Sequence, residues 1–275
     1  MEFPAFHDPQ TPHTHTVILL HGRGSDGPEF SEELFESATS TGDNLKTRLP
    51  GWRWVFPTAR DRWSTTFQEE MCAWFDAYSL DDIHAKQDLQ VAGLRESVEQ
   101  ILQILDDEVK LLGGDYRRVY LGGISQGIAT ALWTFFGGVA TGRIPEPLGG
   151  LLGFCGWLPF ARQLEDLLQS SESPGTQSLR LVSGFFLDTI AKDKTTGFNE
   201  LLSTSAVSTP VFLGHGADDE WVSVELGRQT SLALSRVMPH VEWSEFRGAE
   251  GDGHWIKEPE GFDQILKFLE KGAVS

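Results

Sequence analysis

The sequence predicts an α/β fold in which helices cover both faces of a mostly parallel central sheet. Short apolar runs alternate along the chain with longer segments of helical periodicity, as in repeated strand–helix–strand units. The apolar runs show little polar alternation, which is typical of strands buried on both faces. A chain of 275 residues with 40% hydrophobic and 23% charged residues fits one globular domain spanning 1–275.

The predicted elements follow one another in regular order. We predict strands at 16–20, 52–56, 118–121, 148–154, 210–213 and 241–246, and helices at 29–38, 86–112, 126–136, 223–237 and 262–269. The helix at 86–112 is the clearest, because its apolar residues recur at steps of three and four. Residues 1–15 are interpreted as a lead-in with little structure. The polar patch 169–178 and the apolar piece 185–190 belong to an expected insertion over the sheet, at about 160–208, rather than to the core.

Charge and cysteine content argue against several classes of function. Acidic residues outnumber basic ones by 40 to 22, and the formal charge of −18 would repel a nucleic acid. Cys72 and Cys155 are too few for a disulfide framework, and we expect both to be packing residues. We see no signal peptide and no run approaching the roughly 18 apolar residues of a membrane span. We therefore expect a cytoplasmic protein without stable membrane insertion.

The first chemical signal is a G-x-S-x-G sequence, Gly123-Ile124-Ser125-Gln126-Gly127. It lies directly between a predicted strand and a predicted helix. A nucleophilic serine has to project from such a tight turn so that a base can reach it, and flanking glycines let the backbone turn without clashes. The motif alone is common by chance, but this context favours Ser125 as a nucleophile over a serine that merely caps the helix.

Two further signals supply an acid and a base. Asp219 follows a strand that ends in His215-Gly216, at the sheet edge where α/β active sites form. His254 stands in a glycine-flanked loop between the last strand and the last helix. The order serine, aspartate, histidine is the one expected of a hydrolase triad in an α/β sheet. Asp218 remains an alternative acid.

Other histidines fit the base less well. His240 precedes a strand instead of following one, and we expect His215 to be buried and hydrogen bonded. His13 and His15 could face one side of an extended segment, but no further metal ligands accompany them, so we predict no metal site.

The loop after the first strand is expected to complete the site. A tetrahedral oxyanion needs preorganised N–H donors, and we predict these to be the backbone amides of Arg23 and Gln126. The same loop, Gly22 to Gly27, also satisfies the dinucleotide fingerprint G-x-G-x-x-G. That interpretation requires a strand ending in an acid about 20 residues on, and the residues before Asp43 are not a strand.

On these motifs the chain resembles the acyl-protein thioesterase and lysophospholipase/carboxylesterase family of small α/β-hydrolases. The matching pieces, in the family's order, are 17–24, Trp74-Phe75-Asp76, 122–127, Gly156-Trp157-Leu158-Pro159 and 215–222. The resemblance covers about residues 16–270. It implies the triad Ser125, His254 and Asp219, oxyanion donors from Arg23 and Gln126, no cofactor, and hydrolysis of carboxylic esters or thioesters of fatty acyl groups. The substrates implied are small esters, lysophospholipids and lipidated proteins.

Three departures from the family pattern concern the substrate. Family members usually carry leucine where Arg23 stands and a small residue where Ile128 stands, and the 157–209 stretch is longer than the usual connection, so we expect a lid-like insertion over the active site. Of the nine tryptophans, Trp74, Trp157 and Trp221 are the candidates for the substrate pocket. A lysophospholipase and a non-catalytic binding module on the same scaffold stay open as alternatives.

Overall fold

The strands form one central sheet and one separate hairpin. The computed structural model describes residues 4–79, 82–169, 176–190 and 205–273. Within these residues the strands are β1 (Ala5–His7), β2 (His15–Leu20), β3 (Trp52–Phe56), β4 (Asp61–Ser64), β5 (Glu69–Cys72), β6 (Val119–Ile124), β7 (Gly150–Phe154), β8 (Val211–Gly216) and β9 (Val241–Phe246). The sheet order is β1-β3-β2-β6-β7-β8-β9, and β4 pairs only with β5.

The central sheet is parallel except at one edge. All neighbouring pairs from β3 to β9 are parallel, with Leu20 opposite Gly123 and Gly123 opposite Gly153. Every residue of β6, β7 and β8 is buried, which explains their continuous apolar sequences. Strand β1 pairs antiparallel with β3, so the prediction of an unstructured lead-in is wrong for residues 5–7.

Helices cover both faces of this sheet, as predicted. They are α1 (Gly27–Glu36), α2 (Leu45–Arg48), α3 (Asp88–Leu111), α4 (Gln126–Thr141), α5 (Ala161–Gln169), α6 (Thr176–Ile190), α7 (Val224–Ser235) and α8 (Glu260–Ala273). Buried residues of α3, α4, α5, α6 and α7 belong to one apolar cluster, and those of α1, α2 and α8 to a second. Within the described part of the chain, no helix combines the length and hydropathy needed to cross a bilayer.

The expected insertion contributes to the core. In α6, Val182 and Phe186 are buried, and the Phe186 ring stacks on Phe136 of α4 at 4.9 Å. Trp133 meets the same ring edge-on at 4.6 Å. The expectation that this stretch stays outside the core is therefore wrong for α6. Residues 170–175 and 191–204 lie outside the described residues, and a lid over the active site remains a prediction.

Candidate active site

Ser125 occupies a strained turn between β6 and α4. Its φ of +57° and ψ of −123° lie outside the regions that serine ordinarily adopts. Its N–H donates to the carbonyl of Phe154 at 2.9 Å, and only 8% of the residue is exposed. Strain of this kind is found where a nucleophile is presented at the end of a strand. The turn is thus the one that the motif predicts.

Close backbone packing explains the two glycines of the motif. A Cβ on Gly127 would lie 2.1 Å from the carbonyl oxygen of Leu20, and one on Gly123 would lie 2.3 Å from the same oxygen. Neither position can therefore hold a side chain without moving the end of β2. This packing also brings the loop after β2 to the serine, since a Cβ on Gly22 would lie 3.5 Å from Ser125 Cβ.

Asp219 and His254 form a direct contact. His254 Nδ1 lies 2.7 Å from Asp219 Oδ2, while Oδ1 accepts the backbone N–H groups of Trp221 and Val222, both at 2.9 Å. Burial by itself would raise the pKa of the Asp219 carboxyl. Hydrogen bonds from His215, His254 and Val222, together with the charge of His254, instead hold that pKa well below its usual range. Because a carboxylate only accepts, His254 carries its proton on Nδ1 and its Nε2 is free to take a proton.

The alternative acid and base lie elsewhere. Asp218 Oδ2 accepts the N–H of Gly248 at 2.8 Å and so holds the turn after β9. The carbonyl of His240 accepts the N–H of Val211, the first residue of β8. His240 therefore lies at the amino-terminal end of the parallel strands, whereas Asp219 follows the carboxyl-terminal end of β8. Of the two histidines considered as the base, His254 is therefore the one that contacts Asp219.

The side chain of Gln126 ties the first loop to the serine turn. Its Oε1 accepts the N–H of Trp74 at 2.8 Å, and its Nε2 donates to the Phe75 carbonyl at 2.7 Å. Trp74 Nε1 in turn donates to the carbonyl of His21 at 2.9 Å. The backbone N–H of Gln126 opens α4, where helix N–H groups lack intrahelical partners. The sequence motif marks this residue for its amide only, and no spacing signal reveals the role of its side chain.

The Arg23 side chain packs against the β4–β5 hairpin instead of extending into solvent. Its guanidinium carbon lies 4.6 Å from the centre of the Phe67 ring, on the hairpin β4–β5. Burial lowers the pKa of the Arg23 guanidinium, and the charge of Asp76 partly opposes this. The loop is further fixed by Gly24, whose N–H donates to the Cys72 carbonyl at 2.8 Å. The departure at position 23 thus adds a contact between the first loop and a hairpin.

The second departure from the family pattern, Ile128, packs against two glycines. Ile128 is buried, and a Cβ on Gly156 or Gly153 would lie 2.2 Å or 2.4 Å from carbon atoms of its side chain. The larger residue on α4 is therefore matched by the absence of side chains on β7 and on the loop that follows it.

The three candidate pocket tryptophans occupy different environments. Trp74 is 0% exposed and its Nε1 donates a hydrogen bond to the His21 carbonyl, so its ring lies inside the loop framework, and its place in the substrate pocket stays a prediction. Trp157 is buried and lines a small interior cavity with Ile128 and His215. Trp221 is 56% exposed, next to the Asp219 loop. The structure does not bring these three rings together into one surface.

An acidic cleft opens beside His254. Its volume is about 420 Å³, and Trp255 and His254 contribute to its lining. The other side chains in the lining are Ser37, Glu33, Glu36, Glu250 and Glu258. Burial, followed by the charges of neighbouring glutamates, raises the pKa of Glu33. A ligand that enters this cleft meets a strongly negative environment.

Two competing sites from the sequence have structural explanations. Asp43 lies in irregular backbone, where its carbonyl accepts the N–H of Thr39 at 2.9 Å, so no strand ends at the acid that a dinucleotide site needs. His13 Nε2 lies 2.9 Å from Thr16 Oγ1, and His15 stacks on Trp52 at 4.4 Å. Both histidines are thus engaged in contacts at the start of β2.

Comparison with known proteins places the chain among ester hydrolases. Residues 1–178 match the model of the phospholipase/carboxylesterase family. Acyl-protein thioesterase 1 of Yarrowia lipolytica is 27% identical over 272 residues, which cover 97% of this chain and 95% of that protein. Acyl-protein thioesterase 1 of Candida albicans is 26% identical over 258 residues, covering 92% and 90%.

Solved structures agree on the fold. Acyl-protein thioesterase 2 of Zea mays aligns over 98% of both chains with a TM-score of 0.66 and 23% identity. Esterase PE8 also aligns over 98% of both chains, with a TM-score of 0.61 and 21% identity. The predicted family resemblance is thereby confirmed. Because the family match spans more than half of its length, the chain belongs to the phospholipase/carboxylesterase family, and it is a hydrolase with the α/β-hydrolase fold.

Proposed function

We propose that the protein hydrolyses carboxylic esters or thioesters through a covalent acyl-enzyme on Ser125. The observation that carries this proposal is the 2.7 Å contact between His254 and the buried Asp219, in a fold that presents Ser125 on a strained turn. His254 Nε2 accepts the hydroxyl proton as Ser125 Oγ bonds to the acyl carbon. Asp219 stays ionised and holds the imidazole in the productive tautomer.

The backbone amides of Arg23 and Gln126 receive the negative charge that develops on the carbonyl oxygen. Loss of one such donor raises the activation barrier by on the order of 3 kcal/mol. When the tetrahedral intermediate collapses, the alcohol or thiol leaves with the proton from His254. Water then attacks the acyl carbon, His254 takes a proton from it, and the acid is released as Ser125 regains its own. No step in this sequence uses a cofactor or a metal.

A fluorophosphonate probe tests the nucleophile directly. We expect it to label the wild-type protein, and we expect Ser125→Ala to lose both labelling and turnover of a nitrophenyl butyrate ester. Labelling that survives this substitution contradicts the assignment of the nucleophile. Absence of turnover in the wild type favours the alternative of a binding module on the hydrolase scaffold.

We propose that the substrate is an S-acylated basic peptide, whose thiol is the leaving group, rather than a lysophospholipid with an anionic head group. The curated relatives are named acyl-protein thioesterases, and the cleft beside His254 is lined by four glutamates. At physiological salt the Debye length is about 8 Å, so these nearby carboxylates influence a bound charge more than the distant surface does.

Paired substrates test this preference. We expect kcat/KM to be higher for an acylated peptide containing lysines than for its glutamate-containing counterpart, and we expect the ratio to fall as salt is added. A ratio of one at low salt, or preference for an anionic lysophospholipid, contradicts the proposal while leaving the acyl-enzyme chemistry intact.

A further inference from the structure

A second imidazole contacts the carboxylate of Asp219. His215, near the end of β8, is 1% exposed, and its Nε2 lies 2.9 Å from the Val222 carbonyl oxygen and 3.3 Å from Asp219 Oδ2. Because a carbonyl can only accept, this nitrogen carries the proton and donates it. The N–H is therefore directed at the loop backbone, and the carboxylate oxygen lies 3.3 Å from the nitrogen that carries it.

The His215 ring has little freedom to turn away. A Cβ on Gly227 would lie 2.4 Å from His215 Nδ1, so helix α7 closes on the opposite edge of the ring. The Trp243 ring lies 6.2 Å away, and the Cys155 thiol is part of the same buried group, within 4.8 Å of the His215 and Asp219 ligand atoms. Burial raises the pKa of that thiol, which keeps it neutral.

Asp219 Oδ2 thus has two imidazole nitrogens close to it, His254 Nδ1 at 2.7 Å and His215 Nε2 at 3.3 Å, and interaction with His215 is among the causes that lower the pKa of the carboxyl. The second donor fixes the carboxylate against rotation, together with the two amides on Oδ1. It also withdraws negative charge from Oδ2, and so limits how strongly the carboxylate stabilises a protonated His254. Both effects act through Asp219. Because His215 Nε2 donates its proton to the Val222 carbonyl, it is not available as a base.

We propose that His215 is a positioning residue, whose Nε2–H orients Asp219 and moderates its attraction for the proton on His254. This role rests on the proposed function of Ser125 and His254. A positioning residue can be distinguished from a packing residue by experiment, because a packing residue would not alter the protonation behaviour of His254.

Three variants test the proposal. His215→Leu removes the donor, whereas His215→Gln places an amide N–H where Nε2 stands. Trp243→Phe disturbs packing around the ring without touching Asp219 and serves as the control. For each folded variant we would measure kcat, KM, the pH profile of kcat/KM, and the NMR shift of the His254 Nδ1 proton.

In His215→Leu we expect kcat to fall about tenfold or more, with little change in KM, since misplacement of a catalytic group is costly. We also expect the acid-side midpoint of the profile to move about half a pH unit upward, the size of one lost neutral hydrogen bond. His215→Gln should keep most of the wild-type kcat and midpoint, and Trp243→Phe should keep the wild-type midpoint.

An unchanged midpoint and Nδ1 proton shift in folded His215→Leu overturns the proposal, as does an equal loss in all three variants. The proton shift reports the Asp219–His254 hydrogen bond even without turnover. If the wild-type protein hydrolyses no ester, the proposed function fails, and the proton shift still decides whether His215 acts on Asp219.

Discussion

Replacing Asp219 by asparagine tests which of two adjacent carboxylates serves the histidine. Asp219 Oδ1 faces two backbone N–H donors, so the oxygen of an asparagine amide has to stay on that side. Its NH₂ group then points at His254 Nδ1. The imidazole can meet a donor there only by accepting, which moves its own proton to Nε2. In that tautomer, Nε2 cannot take the proton of Ser125.

The expected loss in kcat for Asp219→Asn is about 10³- to 10⁴-fold, the effect of holding a triad histidine in the wrong tautomer. This corresponds to about 4 to 5 kcal/mol of barrier. Asp218→Asn is the matched control. Its carboxylate accepts the N–H of Gly248, a bond that the amide oxygen can replace, so we expect a loss of less than about threefold.

The assay is single-turnover and steady-state hydrolysis of a nitrophenyl ester, with circular dichroism to establish that both variants fold. The reasoning is refuted if folded Asp219→Asn keeps more than a tenth of the wild-type kcat. It is also refuted if Asp218→Asn loses as much activity as Asp219→Asn.

Three other predictions concern the same region. kcat/KM should rise with pH between pH 5 and 8, because protonated His254 cannot act as a base and the lowered pKa of Asp219 keeps that carboxylate charged throughout. Gly127→Ala should lose activity and lower Tm sharply, because its Cβ would meet the Leu20 carbonyl oxygen at 2.1 Å. Ile128→Ala should lower the free energy of unfolding by about 2 to 5 kcal/mol in denaturant titration, because its side chain packs against Gly153 and Gly156, which have no side chains to fill the space.

Each of these has a control or a contrary outcome. A flat rate profile from pH 5 to 8 contradicts a histidine base. Gly24→Ala has open space around its Cβ and a φ of +87°, so it should cost only the left-handed penalty of about 1 kcal/mol. Equal losses for the two glycine variants contradict the packing argument. An unfolding free energy unchanged by Ile128→Ala means that the surrounding backbone collapses into the space.

The sequence predicts the parallel strands of the central sheet well and misses the β4–β5 hairpin and β1. Strand β2 and helix α3 are recognisable because burial imposes a continuous apolar run on one and a helical period on the other. The β4–β5 hairpin leaves most of its residues exposed or half-buried, so no apolar pattern marks it. Strand β1, with three residues, is too short for any periodicity to appear.

For the candidate site, the sequence suggests Ser125, Asp219 and His254, because each stands in a recognisable motif in a turn or loop that follows a strand. The choice between Asp218 and Asp219 depends on how two loops approach, with a Cβ on Gly216 only 2.1 Å from the Gly253 carbonyl oxygen. The contact of His215 with Asp219 likewise arises only once the strand and the loop are folded.

The central claim is that Ser125 carries the acyl group during turnover. The most direct test is rapid-quench peptide mapping. The enzyme is mixed with a fatty acyl thioester, the reaction is quenched in acid within the first turnover, and the peptides are analysed by mass spectrometry. The account predicts the acyl mass on the peptide containing Ser125, and none in Ser125→Ala. An acyl group found on another residue, or thioester turnover with no covalent intermediate on Ser125 at any quench time, contradicts it.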